Sequence, residues 1–122
     1  MVQTKGQLEA EISAAMTKFE KEHFGRGPEE ANTYIIKDMI LIRLKGVLTP
    51  AEEKLAGDAE GAQLIKQMRR RLIESSRPLL EQIIQNIIGL NISSLHTDIS
   101  SRTGERIFVL CFNKSLESAI TD

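Results

Sequence analysis

Leu48-Thr49-Pro50-Ala51-Glu52 is the point at which a strand pattern stops and a long helical pattern begins. Thr49 can accept a hydrogen bond from the amide of the third helical residue, Pro50 sits where no amide donor is required, and Glu52 can reach back to the Thr49 amide. From residue 50 to residue 88 strand signals are almost absent. At about 1.5 Å per residue this segment would reach nearly ~60 Å if unbroken, twice the diameter of a small domain. It must break, kink or find a partner outside its own fold.

The break is predicted inside the segment. Gly57 and Gly61 weaken its start and Asp58 can cap a restart, giving a short helix near 50–56 and a longer one after it. An apolar stripe then runs through Leu64, Ile65, Met68, Leu72 and Ile73, and continues with Leu79, Leu80, Ile83, Ile84, Ile87 and Ile88. Pro78 interrupts it, which predicts a kink or a break with a serine cap at Ser75-Ser76. Beyond Pro78 apolar residues cover more than half the helical circumference. The six from Leu79 to Ile88 are therefore the expected interface, most simply of a homodimer. Gly89 closes the helix.

Outward from this segment the pattern alternates. Leu8, Ile12, Ala15, Met16 and Phe19 form one stripe of a first helix, with a Thr4/Gln7 capping box, and Glu9, Glu11, Lys18, Glu20, Lys21 and Glu22 are read as its wet surface. Gly25-Arg26-Gly27-Pro28 ends it, and a loop runs to about Asn32. Residues 33–48 read as a hairpin turning near Lys37-Asp38, although the turn lacks an Asn-Gly or Asp-Gly pair. Ile92 to Ile99 and Glu105 to Phe112 read as a second hairpin, whose second arm is apolar on both faces and so an inner strand. The predicted fold is α+β, an antiparallel four-stranded sheet with helices on one face. It forms a single domain over residues 1–122, ordered from about 4 to 113.

Composition excludes several classes. The chain has 122 residues, 41% hydrophobic and 27% charged, with a formal charge of -1, so no overall field draws nucleic acid or an anionic membrane. One cysteine, Cys111, precludes an internal disulfide framework; it is read as a small buried apolar residue. No run reaches the ~18 apolar residues of a membrane span, and the start lacks a signal-peptide core. The chain reads as cytoplasmic, acting from the inner face of the cell membrane if it acts at a membrane at all.

Candidate chemistry is sparse. His96-Thr97-Asp98 sets an imidazole near a carboxylate on a strand, but His23 is the only other histidine and no ligand cluster accompanies them, so neither metal nor cofactor is implied. Lys66, Arg69, Arg70, Arg71 and Arg77 form a basic cluster; Glu74 and Glu81 lie four residues after Arg70 and Arg77, which favours a solvated ladder of ion pairs over nucleic-acid binding. Gly25-Arg26-Gly27-Pro28 follows a helix instead of opening one, and reads as a structural turn more readily than as a phosphate loop.

Phe24-Gly25-Arg26-Gly27-Pro28, then Asp38-Met39-Ile40 leading to Arg43-Leu44-Lys45-Gly46-Val47-Leu48-Thr49-Pro50-Ala51-Glu52, then His96-Thr97-Asp98-Ile99-Ser100 with Thr103-Gly104-Glu105-Arg106, resemble in order and spacing the MpsC-like family. The similarity extends from about Leu8 to Phe112. That family comprises small bacterial proteins, once known only as a domain of unknown function and later associated by name with a sodium-translocating, membrane-potential-generating system. The resemblance implies a component without membrane spans and supplies no catalytic residues.

Two functions follow as expectations. The first is a non-catalytic cytosolic accessory or regulatory subunit that self-associates and docks on a membrane cation-transport assembly. The alternative is a small-ligand or anion-binding sensor with Arg26, Arg43, His96 and Asp98 in a cleft between sheet and helices.

Overall fold

The computed structural model describes residues 3–117 and 120. The first helix, α1 (Lys5–Phe24), starts on the expected capping box and ends on Gly25 in the left-handed conformation. Strands β1 (Glu30–Ile36) and β2 (Met39–Lys45) form the first hairpin, turning through Lys37 and Asp38, with Lys37 at φ 55. A short helix α2 (Pro50–Leu55) and a long α3 (Ala59–Ile88) follow, then β3 (Ser94–Ser100) and β4 (Glu105–Cys111). The sheet is antiparallel in the order β1-β2-β4-β3, so β4 is an inner strand. Helices over one face of an antiparallel sheet make this an α+β fold.

The register decides which side chains meet the helices. Thr33↔Ile42↔Phe108↔Thr97 and Ile35↔Ile40↔Leu110↔Leu95 form rows on the helix-covered face. Ile40, Ile42, Leu44, Phe108 and Leu110 are buried there with Ile12, Met16 and Phe19 of α1 and Ile65, Ile73, Leu80 and Ile84 of α3. Strand β1 begins at Glu30, earlier than the apolar run at Thr33 suggests, because Glu30 pairs with Lys45 across the hairpin. Likewise β3 begins at Ser94, not Ile92.

The long segment breaks where Gly57 and Asp58 predict: α2 ends at Leu55 with Ala56 as its cap, and the Asp58 side chain accepts from the Gly61 amide to open α3. A Cβ on Gly61 would lie 1.8 Å from the Leu55 carbonyl oxygen, so only glycine lets α2 abut α3 this closely. No break occurs at Pro78: α3 runs through it for 30 residues, about 45 Å at ~1.5 Å per residue. Pro78 is exposed, so the carbonyl of Glu74 that loses its helical donor can be met by water, and no serine cap is needed.

Candidate functional site

The polar centre of the molecule lies beneath α3. Arg69 continues the Ile65 and Ile73 stripe into the core and is 0% exposed. Its Nε and Nη2 donate to Glu52 Oε2 and Oε1, both at 2.8 Å; Nη2 also donates to the Val47 carbonyl at 3.0 Å. Nη1 reaches Glu20 Oε1 at 3.5 Å, and the guanidinium carbon lies 4.4 Å from the Phe24 ring centre. Glu52 Oε1 accepts from the Thr49 amide as well, at 3.0 Å. The capping box that starts α2 therefore also tethers α3. A second buried arginine, Arg106 of β4, is 2% exposed and donates from Nη1 to the Thr97 hydroxyl at 3.0 Å. Its Nε stands 4.0 Å from Glu20 Oε2, and both of those atoms lack a hydrogen-bond partner.

Burial sets the direction of the shift at Glu20 and Arg106. Removal from water raises the Glu20 carboxyl above its ordinary value despite Arg106 and Arg69. The same desolvation lowers Arg106, opposed by Glu20. At Glu52 burial also pushes upward, but the bonds from Arg69 and Thr49 outweigh it, and its value falls.

Above the quartet a cleft of about 370 Å³ opens between α3 and β3. Arg106, Arg69 and Thr97 line its inner wall, Ile73, Leu95 and Ile99 supply apolar surface, and Lys66, Arg70 and Arg77 stand on the α3 side. Lys66 pairs with Asp98 at 3.7 Å and Arg77 with Glu81 at 2.8 Å; Arg70 has no ion-pair partner among the described residues. Among the described residues no helix lies over the other sheet face. There Tyr34↔Leu41↔Val109↔His96 and Ile36↔Met39↔Cys111↔Ser94 form an apolar half, and the ion pairs Arg43–Glu105 and Lys45–Glu30 occupy the other half.

A chain profile described as "Na+-translocating membrane potential-generating system (MpsC)" matches residues 4–114. The chain belongs to the MpsC family. It is similar to the uncharacterized protein YbcI of Bacillus subtilis (strain 168), 47% identical over 117 residues that cover 96% of this chain and 94% of YbcI. It is also similar to the uncharacterized protein YrhF of the same organism, 27% identical over 109 residues covering 88% of each chain. No solved structure gives a significant match.

In this MpsC-family fold the four residues expected to share a ligand cleft separate. By register His96 and Asp98 share the uncovered face with Arg43, and on the edge strand β3 they also reach the rim of the α3/β3 cleft, which Arg43 does not line; Arg26 donates to the Leu48 carbonyl at 3.1 Å and to Glu29 at 3.0 Å. The expected interface also divides. Leu80 and Ile84 are enclosed in the chain's own core, Ile83, Ile87 and Ile88 pack partly buried against it, and Leu79 is 47% exposed. Cys111 is half-buried on the uncovered face instead of lying in the core. Among the described residues no three histidine, cysteine, aspartate or glutamate side chains gather as a metal group, and no helix is long and apolar enough to cross a membrane.

Three members of the quartet, Glu20, Arg69 and Arg106, escape the sequence reading as buried residues. From the sequence Glu20 reads as wet surface of α1 and Arg69 as part of a solvated ladder, yet both are fully buried. The signal was spacing: Glu20 follows Met16 by four residues, Arg69 lies four from both Ile65 and Ile73, and Arg106 alternates with Phe108 and Leu110.

Proposed function

We propose that this chain is a non-catalytic cytoplasmic subunit that self-associates through its uncovered sheet face and docks, as part of an MpsC-type system, on a membrane cation-transport assembly. The association with such a system rests on the family's name. The observation that carries the self-association is the apolar half-face of Tyr34, Ile36, Met39, Leu41, Val109 and Cys111, with Tyr34 and Ile36 47% and 43% exposed.

A second copy fits this face by size and charge. Strands about 4.8 Å apart and seven residues long, at about 3.3 Å per residue, give a face of roughly 19 by 23 Å. Two such faces together bury on the order of 900 Å² before side-chain relief is counted, close to the ~1,000 Å² that marks a specific contact. The charges beside the apolar half are already paired within the chain, so two identical faces meet without strong repulsion. The dimer expected is weak and concentration-dependent. Exposed Leu64, Met68 and Leu79 of α3 form a separate apolar stripe on which the membrane assembly would dock.

Sedimentation velocity over a concentration series tests the first contact. Dimer formation is expected for the native chain, with loss in Leu41→Lys and protection of Cys111 from a maleimide as concentration rises. A monomer at every concentration, with unchanging Cys111 labelling, refutes it.

A further inference from the structure

The α3/β3 cleft has features that sheet-face self-association does not use. Its inner wall holds Arg106, nearly inaccessible, with Nη1 bonded to Thr97 and Nε turned toward Glu20, and its open side holds exposed Arg70, which has no ion-pair partner among the described residues. Ile73 and Leu95 line the same cleft. The cations lining the cleft, Lys66, Arg69, Arg70, Arg77 and Arg106, outnumber its two carboxylates, Glu74 and Asp98. A volume of about 370 Å³ is in the range of small-molecule sites. Guanidinium groups present planar, fixed donors suited to phosphate oxygens, and beside apolar walls they select an anion that carries an organic part.

We infer that this cleft binds a small organic phosphate, its phosphate held by exposed Arg70, with Arg106 adding positive charge from the inner wall, and its carbon skeleton resting on Ile73 and Leu95. The Thr97 hydroxyl, oriented by Arg106, offers a further polar contact. Lys66 and Arg77 exchange their present carboxylate partners for the ligand or stay paired; Arg70 has no partner to exchange. A nucleic-acid strand is the poorer occupant, because no phenylalanine, tyrosine or tryptophan lines the cleft for base stacking and the one ring there, His96, offers a single small platform. The phosphate can belong to a soluble metabolite or to a lipid headgroup.

The test uses the full chain and measures thermal shift and calorimetric binding with pyrophosphate, glycerol 3-phosphate and AMP, and co-sedimentation with phosphatidylglycerol vesicles. Saturable binding is expected to one arm, metabolite or vesicle, and that arm identifies the source. Arg70→Glu, an exposed change, should weaken binding at least about tenfold while leaving the fold intact. Arg106 variants are avoided because they strand Glu20. Leu41→Lys should bind like the native chain, so failure of the sheet-face dimer and failure of the cleft are read separately. Absence of binding to every probe up to about 10 mM, or equal binding by Arg70→Glu, overturns the inference.

Discussion

Replacing Arg69 by methionine removes the charge that α2, α1 and the β2–α2 loop all share. Methionine follows much of the arginine stem, so the change is chiefly electrostatic. Three hydrogen bonds at 2.8–3.0 Å and one at 3.5 Å disappear, and Glu52 and Glu20 lose a common partner inside the protein. Adding those bonds one by one would overstate the loss, since folding exchanges them for bonds to water. Removing one member of a buried ion pair costs about 3–5 kcal/mol, chiefly because the other charge is left behind. For 122 residues the whole stability is about 6–18 kcal/mol at ~0.05–0.15 kcal/mol per residue. Arg69→Met should therefore lower the melting temperature by about 10–20 °C. A double-mutant cycle with Glu52→Gln isolates the cause. Glutamine keeps the capping box, so on the native background Glu52→Gln should destabilise by losing its bidentate charge pairing, whereas on the Arg69→Met background it should be neutral or stabilising. Urea denaturation of the four species measures this. A loss below about 1 kcal/mol for Arg69→Met, or the same Glu52→Gln effect on both backgrounds, refutes the buried-tether account.

Gly61→Ala should destabilise by about 1–3 kcal/mol although alanine is the better helix former, because its Cβ strikes the Leu55 carbonyl; Gly6→Ala, with nothing within 4 Å of the added methyl, should stabilise by up to about 1 kcal/mol. Equal effects of the two in chemical denaturation would contradict the α2–α3 contact. Pro78→Ala should raise stability by up to about 3 kcal/mol, since it restores the amide donor at an exposed helical position; no gain would mean that α3 is already relaxed around the proline. Glu20 gives a pH signature. It is enclosed by Arg69 of α3, Arg106 of β4 and Glu52 of α2, and its folded-state value lies above the ordinary 4.5, so its contribution is complete below 4.5 and is lost as pH rises through the raised value. Native stability minus that of Glu20→Gln should therefore fall as pH rises from 4.5. Glu52, shifted down, acts oppositely: its contribution is present above 4.5 and is lost as pH falls through its lowered value. Parallel pH profiles for the native chain and Glu20→Gln would show that Glu20 carries no such burden.

The elements of this fold were legible because local chemistry and tertiary need coincide. Thr4 with Gln7, and Thr49 with Glu52, form the capping boxes that their spacing implies, and Gly89 adopts the left-handed cap that ends α3. The α+β architecture followed from the order of helical and strand patterns, and the inner position of β4 from its apolar residues on both faces. Pro78 misled because a proline's local penalty is tolerable at an exposed position when tertiary packing on both sides, Ile73 before it and Leu80 after it, holds the helix together. The buried quartet was only partly legible, for a different reason. Glu20, Arg69 and Arg106 come from three elements distant in sequence, and each alone reads as surface; only the register of β4 against β2 and the crossing of α1 with α3 bring them together.

The quartet also explains how this chain hides a long helix without a partner at its middle. A purely apolar α3 face would fix burial but not which turn of α3 lies over which strand. Arg69, bonded at once to the α2 capping glutamate and to the Val47 carbonyl after β2, admits one register, because sliding α3 by a turn would strand Glu52 and Glu20 together. That fixed register places Arg70, the next residue along, at the cleft, and brings Lys66 within 3.7 Å of Asp98 on the edge strand. The same residues that look costly to bury thus set the geometry of the surface above them, while the apolar side chains left outside, on the open sheet face and along Leu64, Met68 and Leu79, remain free for other molecules. Locking the interior and leaving two separate apolar surfaces uncovered is the arrangement expected of a subunit that binds as a rigid body. On that account Arg69→Met should disturb the cleft before it disturbs the sheet face: phosphate binding weakens while Leu41-dependent self-association persists, and loss of both together would show that the two surfaces are not independent.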